Sequence, residues 1–137
     1  MIVVDTGPLI ALFDPQDPAH QRCVETLKTF RESILTTIPV LTETFHMLGP
    51  ASTGSDRLRE FVLNGDLPVW WFDATALSRA FELMDAYADH PMDLADASIV
   101  VAAEALGTRT VFTIDRTDFA AYRLRRGHRH YPFQIVP

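Results

Sequence analysis

Residues His90 to Asp118 read HPMDLADASIVVAAEALGTRTVFTIDRTD. Asp93 and Asp96 open an almost wholly apolar run, Ala97 to Leu106, which reads as a helix that Gly107 stops. Thr110 to Ile114 then reads as a strand that ends on Asp115. Acids stand where a helix begins and where a strand ends. In an open parallel α/β sheet those two places share one edge, the carboxyl end of the strands, where such folds build their sites. The stretch thus predicts an α/β fold and makes its acids neighbours in space.

Outward from it, the same rule repeats. Ile2 to Val4 is a short apolar strand ending in Asp5, and Thr6-Gly7-Pro8 turns the chain into a brief helix, Leu9 to Phe13. Ala19 to Glu32 carries Cys23, Val24, Leu27 and Phe30 at helical spacing. Ile34 to Thr36 reads as a second strand, and Pro39 opens a helix, PVLTETFHMLG, with Glu43 in its second turn. After the loop Gly49 to Ser55, Asp56 to Asn64 is a further amphipathic helix. Val69 to Phe72 is a third strand placed at the sheet edge, Asp73 a cap, and Ala74 to Tyr87 a helix. Tyr131 to Val136 completes five strands. Strands alternating with helices, with no hairpin signal between strands, predict a five-stranded parallel sheet with helices on both faces.

A chain of 137 residues with 47% hydrophobic content suits one domain, residues 1–137, with one core. No apolar run approaches the roughly 20 residues of a membrane span, and MIVVDTGPLI lacks the features of a signal peptide, so a soluble cytoplasmic protein is expected. Cys23 stands alone, which leaves no intramolecular disulfide and no cysteine-based zinc site. The net charge of -6 argues against a general nucleic-acid coat. The positives are nevertheless clustered: Arg116, Arg123, Arg125, Arg126 and Arg129, with His128 and His130, crowd the C-terminal segment. Arginine suits bidentate phosphate contacts and stacking on bases, so these five are candidates for RNA binding, a solvated surface face being the other reading.

Asp5, Glu43, Asp96 and Asp115 all map to the carboxyl edge of the sheet. Clustered carboxylates repel and titrate upward unless a cation neutralises them, so a shared divalent ion is the simplest account. Oxygen donors select hard ions, Mg²⁺ or Mn²⁺. Such a site suits phosphodiester hydrolysis, with Glu43 or Asp115 orienting or deprotonating the attacking water. Thr6 and Thr113 are placed to hydrogen-bond a carboxylate or a water beside it. Asp93 reads first as the cap of its helix, and Asp118 as the cap of a short turn, Phe119 to Tyr122. His46, three residues after Glu43 on its helix, can approach the site but reads first as a structural residue, and Trp70 and Trp71, on opposite faces of the third strand, read as packing the core or an interface.

The segments VVDTGPLIALF, PVLTETFHML, PMDLADASIVVAAEALG and TVFTIDRTDF resemble, in order and along essentially the whole chain, the PIN-domain family and within it the VapC-type toxins. That resemblance implies a five-stranded α/β/α sandwich and a Mg²⁺- or Mn²⁺-dependent endoribonuclease. Its acids fall on Asp5, Glu43, Asp96 and Asp115, and its hydroxyls on Thr6 and Thr113. Asp93 matches an acid found in part of the family and is placed beside the site. The resemblance further implies a homodimer and a small antitoxin whose C-terminal segment enters the acidic crevice. A PIN-domain nuclease of RNA processing shares every one of these residues. A receiver-like Mg²⁺-binding signalling module would need a lysine near the last strand, whereas the only lysine, Lys28, lies in the first long helix.

Overall fold

The computed structural model describes residues 1–137 as β1 (Ile2–Val4), α1 (Thr6–Phe13), α2 (His20–Thr29), β2 (Ile34–Thr37), α3 (Ile38–Leu48), α4 (Thr53–Leu63), β3 (Val69–Trp70), α5 (Ala74–Ala86), α6 (Leu94–Leu106), β4 (Thr110–Phe112), α7 (Arg116–Ala121), β5 (Arg123–Arg126), β6 (Arg129–Pro132) and β7 (Gln134–Val136). Strands β3-β2-β1-β4-β7 form one sheet in that order, and every neighbouring pair is parallel. All five strands therefore end at the same edge. The order reverses beside β1, which pairs with β2 on one side and β4 on the other, so a crevice opens beyond the ends of β1 and β4.

The central strands are apolar because both faces of a parallel sheet are covered. Ile2, Val3, Val4, Val111 and Phe112 are all buried. Helix α6 is buried nearly all round, from Ala97 to Ala103, and packs against α5, α3, β5 and the sheet. Its small residues let neighbouring elements approach closely. Asp93 caps its start, accepting from Asp96 N–H, and Gly107, at φ 70°, takes the left-handed conformation that ends it. No helix is long and apolar enough to cross a membrane.

The parallel five-stranded sheet flanked by helices is the expected architecture, with β3 at the edge as expected. The end of the chain differs. The run Tyr131 to Val136 is broken at the buried Phe133: residues before it belong to β6, antiparallel to β5, and only Gln134–Val136 joins the main sheet. Only Leu124 and the opposed Tyr131 on this hairpin turn inward, so its arginines masked the period-two pattern. Gly127, at φ 63°, makes the tight turn. Asp118 also differs: it lies inside α7, whose cap is Asp115. Asp73 caps α5 as expected, with Ala76 N–H donating at 2.7 Å. Trp70 packs against the core, whereas Trp71 is exposed.

An aromatic cluster fixes α7. Phe119 is fully buried, edge-on to Tyr122 at 5.2 Å and to Phe133 at 5.6 Å between ring centroids. Phe119→Ala should cost about 3–5 kcal/mol in urea unfolding, the usual penalty for emptying an aromatic site. A loss below about 1 kcal/mol would mean that α7 is held by something else.

Candidate active site

Asp5 leaves the end of β1 with only 7% of its surface exposed. Its carboxylate accepts hydrogen bonds from Thr113 Oγ1–H and from Thr6 N–H, each at 2.7 Å. Thr113 Oγ1 in turn accepts from Asp115 N–H at 2.9 Å, so one hydroxyl links the acids that end β1 and follow β4. Gly7 packs closely alongside: a Cβ there would lie 3.0 Å from Ile114 Cγ1 and press on that side chain.

Asp96 enters from the first turn of α6, where its Oδ2 accepts from the hydroxyl of Tyr122 at 2.8 Å. Asp115 Oδ1 accepts from Asp118 N–H at 3.0 Å, and Asp118 Oδ1 lies 2.6 Å from His90 Nε2. Glu43 projects from α3, exposed. Together Asp5, Glu43, Asp93, Asp96, Asp115 and Asp118, with Thr6, line a crevice of about 500 Å³. The four expected acids, the hydroxyl residue Thr6 and Asp93 are thus brought together, and Thr113 stands behind them. Two further acidic-site features escaped the sequence reading: Asp118 as a crevice residue, and Tyr122 as the partner of Asp96. The i, i+3 spacing of Asp115 and Asp118 at a helix start was the available signal for the first.

The electrostatics follow from burial. Desolvation raises Asp5 from 3.8 to about 6, although the Thr113 and Thr6 hydrogen bonds oppose it, and the charges of Glu43 and Asp115 add to the rise. Asp96 is raised to about 7, again chiefly by desolvation, with Tyr122 opposing and Asp93, Asp5 and Asp118 adding. Asp115 is held up by desolvation and by the hydrogen bond it shares with Asp118, while Asp118 is held down by that bond and by His90. Burial, and then the Asp96 hydrogen bond, push the Tyr122 hydroxyl well above its ordinary range.

The donor set fits a hard divalent ion: every acidic donor is a carboxylate oxygen, and the two most enclosed acids resist ionising together. Thr6 Oγ1 adds a second sign, being buried beside Asp5 with no hydrogen-bond partner. As the side chains stand, no three His, Cys, Asp or Glu groups converge on a single point. Asp5 and Asp96 are fixed by hydrogen bonds, so convergence falls to the exposed Glu43 and Asp115.

The five arginines are not part of this crevice. Arg123 donates to Ala120 O and Tyr122 O, and Arg126 to Gly107 O, which commits both to helix ends. Arg125 donates its backbone N–H to Glu104 Oε2, and Arg129 is exposed on β6. Glu104 and Gly107 lie 8 and 11 residues beyond Asp96 on or just past α6, roughly 12 and 16 Å along its axis. Arg116, exposed in the first turn of α7, is next in sequence to Asp115. Lys28, exposed on α2, lines no part of the crevice, which removes the receiver-like arrangement.

Residues 2–124 match the family described as the PIN domain. Ribonuclease VapC26 of Mycobacterium tuberculosis (strain ATCC 25618 / H37Rv) is 29% identical over 140 residues, which span 99% of this chain and all of that protein. Among solved structures, the Mycobacterium tuberculosis toxin VapC20, described as sarcin-ricin loop cleaving, superposes with a TM-score of 0.81 at 20% identity, over 88% of this chain and 95% of its own. A toxin–antitoxin complex from Klebsiella pneumoniae follows with a TM-score of 0.68 at 18% identity, over 88% and 92%. At these identities the structures speak for the fold.

Both raised acids bind protons more readily folded than unfolded. The stability they contribute is full below about pH 3.8 and is lost as pH rises through about 6 and 7. In the presence of a chelator, Tm should therefore fall between pH 5 and 7.5, and Asp96→Asn should flatten the slope. A Tm that is level across this range, or a slope unchanged by that substitution, would contradict the site electrostatics. Tyr122→Phe should weaken Mn²⁺ binding by about 10- to 100-fold in calorimetry. Unchanged affinity would remove Tyr122 as a support of Asp96.

Proposed function

The chain belongs to the PIN-domain family, and on that premise we propose that it is a VapC-type endoribonuclease, the toxin of a toxin–antitoxin pair, hydrolysing RNA phosphodiester bonds with Mg²⁺ or Mn²⁺. The observation that carries the reading is the crevice itself: Asp5, Glu43, Asp96 and Asp115, from four separate elements, line one acidic cavity or its rim at the carboxyl ends of β1 and β4.

Asp5 and Asp96 would be the fixed ligands of the ion. Thr113 and the Thr6 N–H orient the first, and Tyr122 orients the second, so neither needs to reorganise when the site is loaded. Of Glu43 and Asp115, both exposed, one would complete the set and the other would stay free for the water. When bound, the ion supplies a Lewis acid for the phosphoryl oxygen, an acidified water and a counter-charge for the leaving oxygen. Glu43 or Asp115 accepts the proton of the attacking water as its oxygen bonds to phosphorus. The bond from phosphorus to the ribose oxygen breaks, and that oxygen takes a proton from solvent, leaving one phosphate end and one hydroxyl end. Thr6 Oγ1, the unpartnered hydroxyl, hydrogen-bonds the water or a phosphate oxygen.

A small antitoxin that covers the crevice, a homodimeric toxin and a cytoplasmic site of action belong to the same proposal, the antitoxin supported by the shared fold of the Klebsiella pneumoniae toxin–antitoxin complex. In Mg²⁺ or Mn²⁺, purified protein should cut single-stranded or looped RNA, and its expression without an antitoxin should arrest growth. Asp5→Asn and Asp96→Asn should each abolish cleavage and arrest while circular dichroism stays unchanged. Full cleavage by both variants would remove the site. Cleavage without growth arrest would make the protein a processing nuclease of the same family.

A further inference from the structure

A second cavity adjoins the acidic crevice. It is a groove of about 660 Å³ between the first turns of α3 and α6, walled by Ile38, Pro39, Leu94 and Ala95, with Thr42 and His46 along one side. Glu43 and Asp93 line both cavities, so the groove and the crevice adjoin across a shared acidic rim and differ in chemistry. We propose that this groove is a nucleobase subsite, which takes an unpaired base of the RNA chain next to the phosphate cut in the crevice. The proposal rests on the ribonuclease reading and names the part of the substrate that this site would recognise.

The chemistry of the walls selects the occupant. The two carboxylates at the shared rim repel phosphates, so the backbone would be confined to the crevice, where a bound ion would neutralise charge. A base is flat and uncharged, with apolar faces and polar edges, and the groove offers the matching pair. Ile38, Pro39, Leu94 and Ala95 meet a ring face. The exposed imidazole of His46 offers a ring to stack on or a nitrogen for a base edge. Thr42 Oγ1 donates to Ile38 O at 3.0 Å, so it meets a ligand as an acceptor and favours a base edge that presents an N–H.

The groove is also held in shape. Thr37, the N-cap of α3, and Ser98 of α6 share a buried hydrogen bond of 2.6 Å between their hydroxyls, which pins together the two helices that form its sides. Pro39 fixes the backbone of one wall and the Asp93 cap the start of the other. Bases in an A-form duplex are stacked and paired and cannot enter such a groove. The groove therefore directs the enzyme to loops and single strands.

The test uses the intact protein and a short RNA oligonucleotide carrying a mapped cut site, compared with versions in which either nucleotide flanking the cut is abasic. For the unsubstituted protein, one abasic position should lower kcat/KM about tenfold or more, mainly through KM. Thr42→Trp, an exposed position whose new ring fills the groove, should lower kcat/KM on the parent RNA by a similar factor, with little further loss from the abasic change. His46→Ala, a milder substitution, should give about a threefold or larger loss and a reduced abasic penalty. If neither abasic position matters, or if both variants retain the full abasic penalty, the proposal falls and the groove is free to hold an antitoxin side chain instead. If the unsubstituted protein cuts no RNA in Mn²⁺, the ribonuclease reading falls first and takes this one with it.

Discussion

The hydrogen bond from Thr113 to Asp5 joins the ends of two adjacent parallel strands, and the chemistry of the crevice is arranged around it. A carboxylate buried to this degree is costly when ionised, and two short hydrogen bonds only partly offset the lost hydration. The remaining lone pairs of Asp5 open toward other acids. The protein on its own relieves that conflict by keeping a proton on Asp5 or Asp96, and a divalent ion would relieve it by replacing the proton. The same conflict leaves the two acids poised near neutral pH.

The rest of the fold keeps the conflict in place. Helix α6 runs through the interior with hardly a polar surface, so its first turn, with Asp96, cannot drift without disrupting the core. Tyr122 is fully buried among Tyr87 and Phe119, and its hydroxyl reaches Asp96 from that packed position. Packing density thus becomes positional accuracy at the carboxylate. Glu43 and Asp115, by contrast, are exposed, which suits groups that must move to close around an ion and exchange protons with water.

The sequence made the sheet and four of the site acids legible because both obey position rules: short apolar strands end on Asp5 or lead into Asp115, and apolar helices begin near Glu43 and Asp96. What it hid depended on tertiary neighbours. The β5–β6 hairpin was hidden because Leu124 alone among Arg123–Arg126 faces the core, so charge obscured the strand period. The arginines cluster in the C-terminal sequence, which says nothing of their place relative to the crevice. In space Arg123 and Arg126 serve helix carbonyls, and Arg125 and Arg126 lie toward the far end of α6 from Asp96. Asp118 resembles a cap because the sequence pattern starts this helix at Phe119, three residues after its onset at Arg116. Tyr122 carried no signal, since its hydroxyl meets Asp96 only after α6 and the segment following α7 have packed together.

The account turns on buried acids that exchange a proton for a metal ion. Calorimetric titration of the intact protein with Mn²⁺ at pH 6.5, in buffers of different ionisation enthalpy, counts the protons released. With Asp5 near 6 and Asp96 near 7, roughly one proton should leave for each ion bound, and Asp96→Asn should remove most of that release. Binding with no proton release, or an equal release from Asp96→Asn, would contradict it.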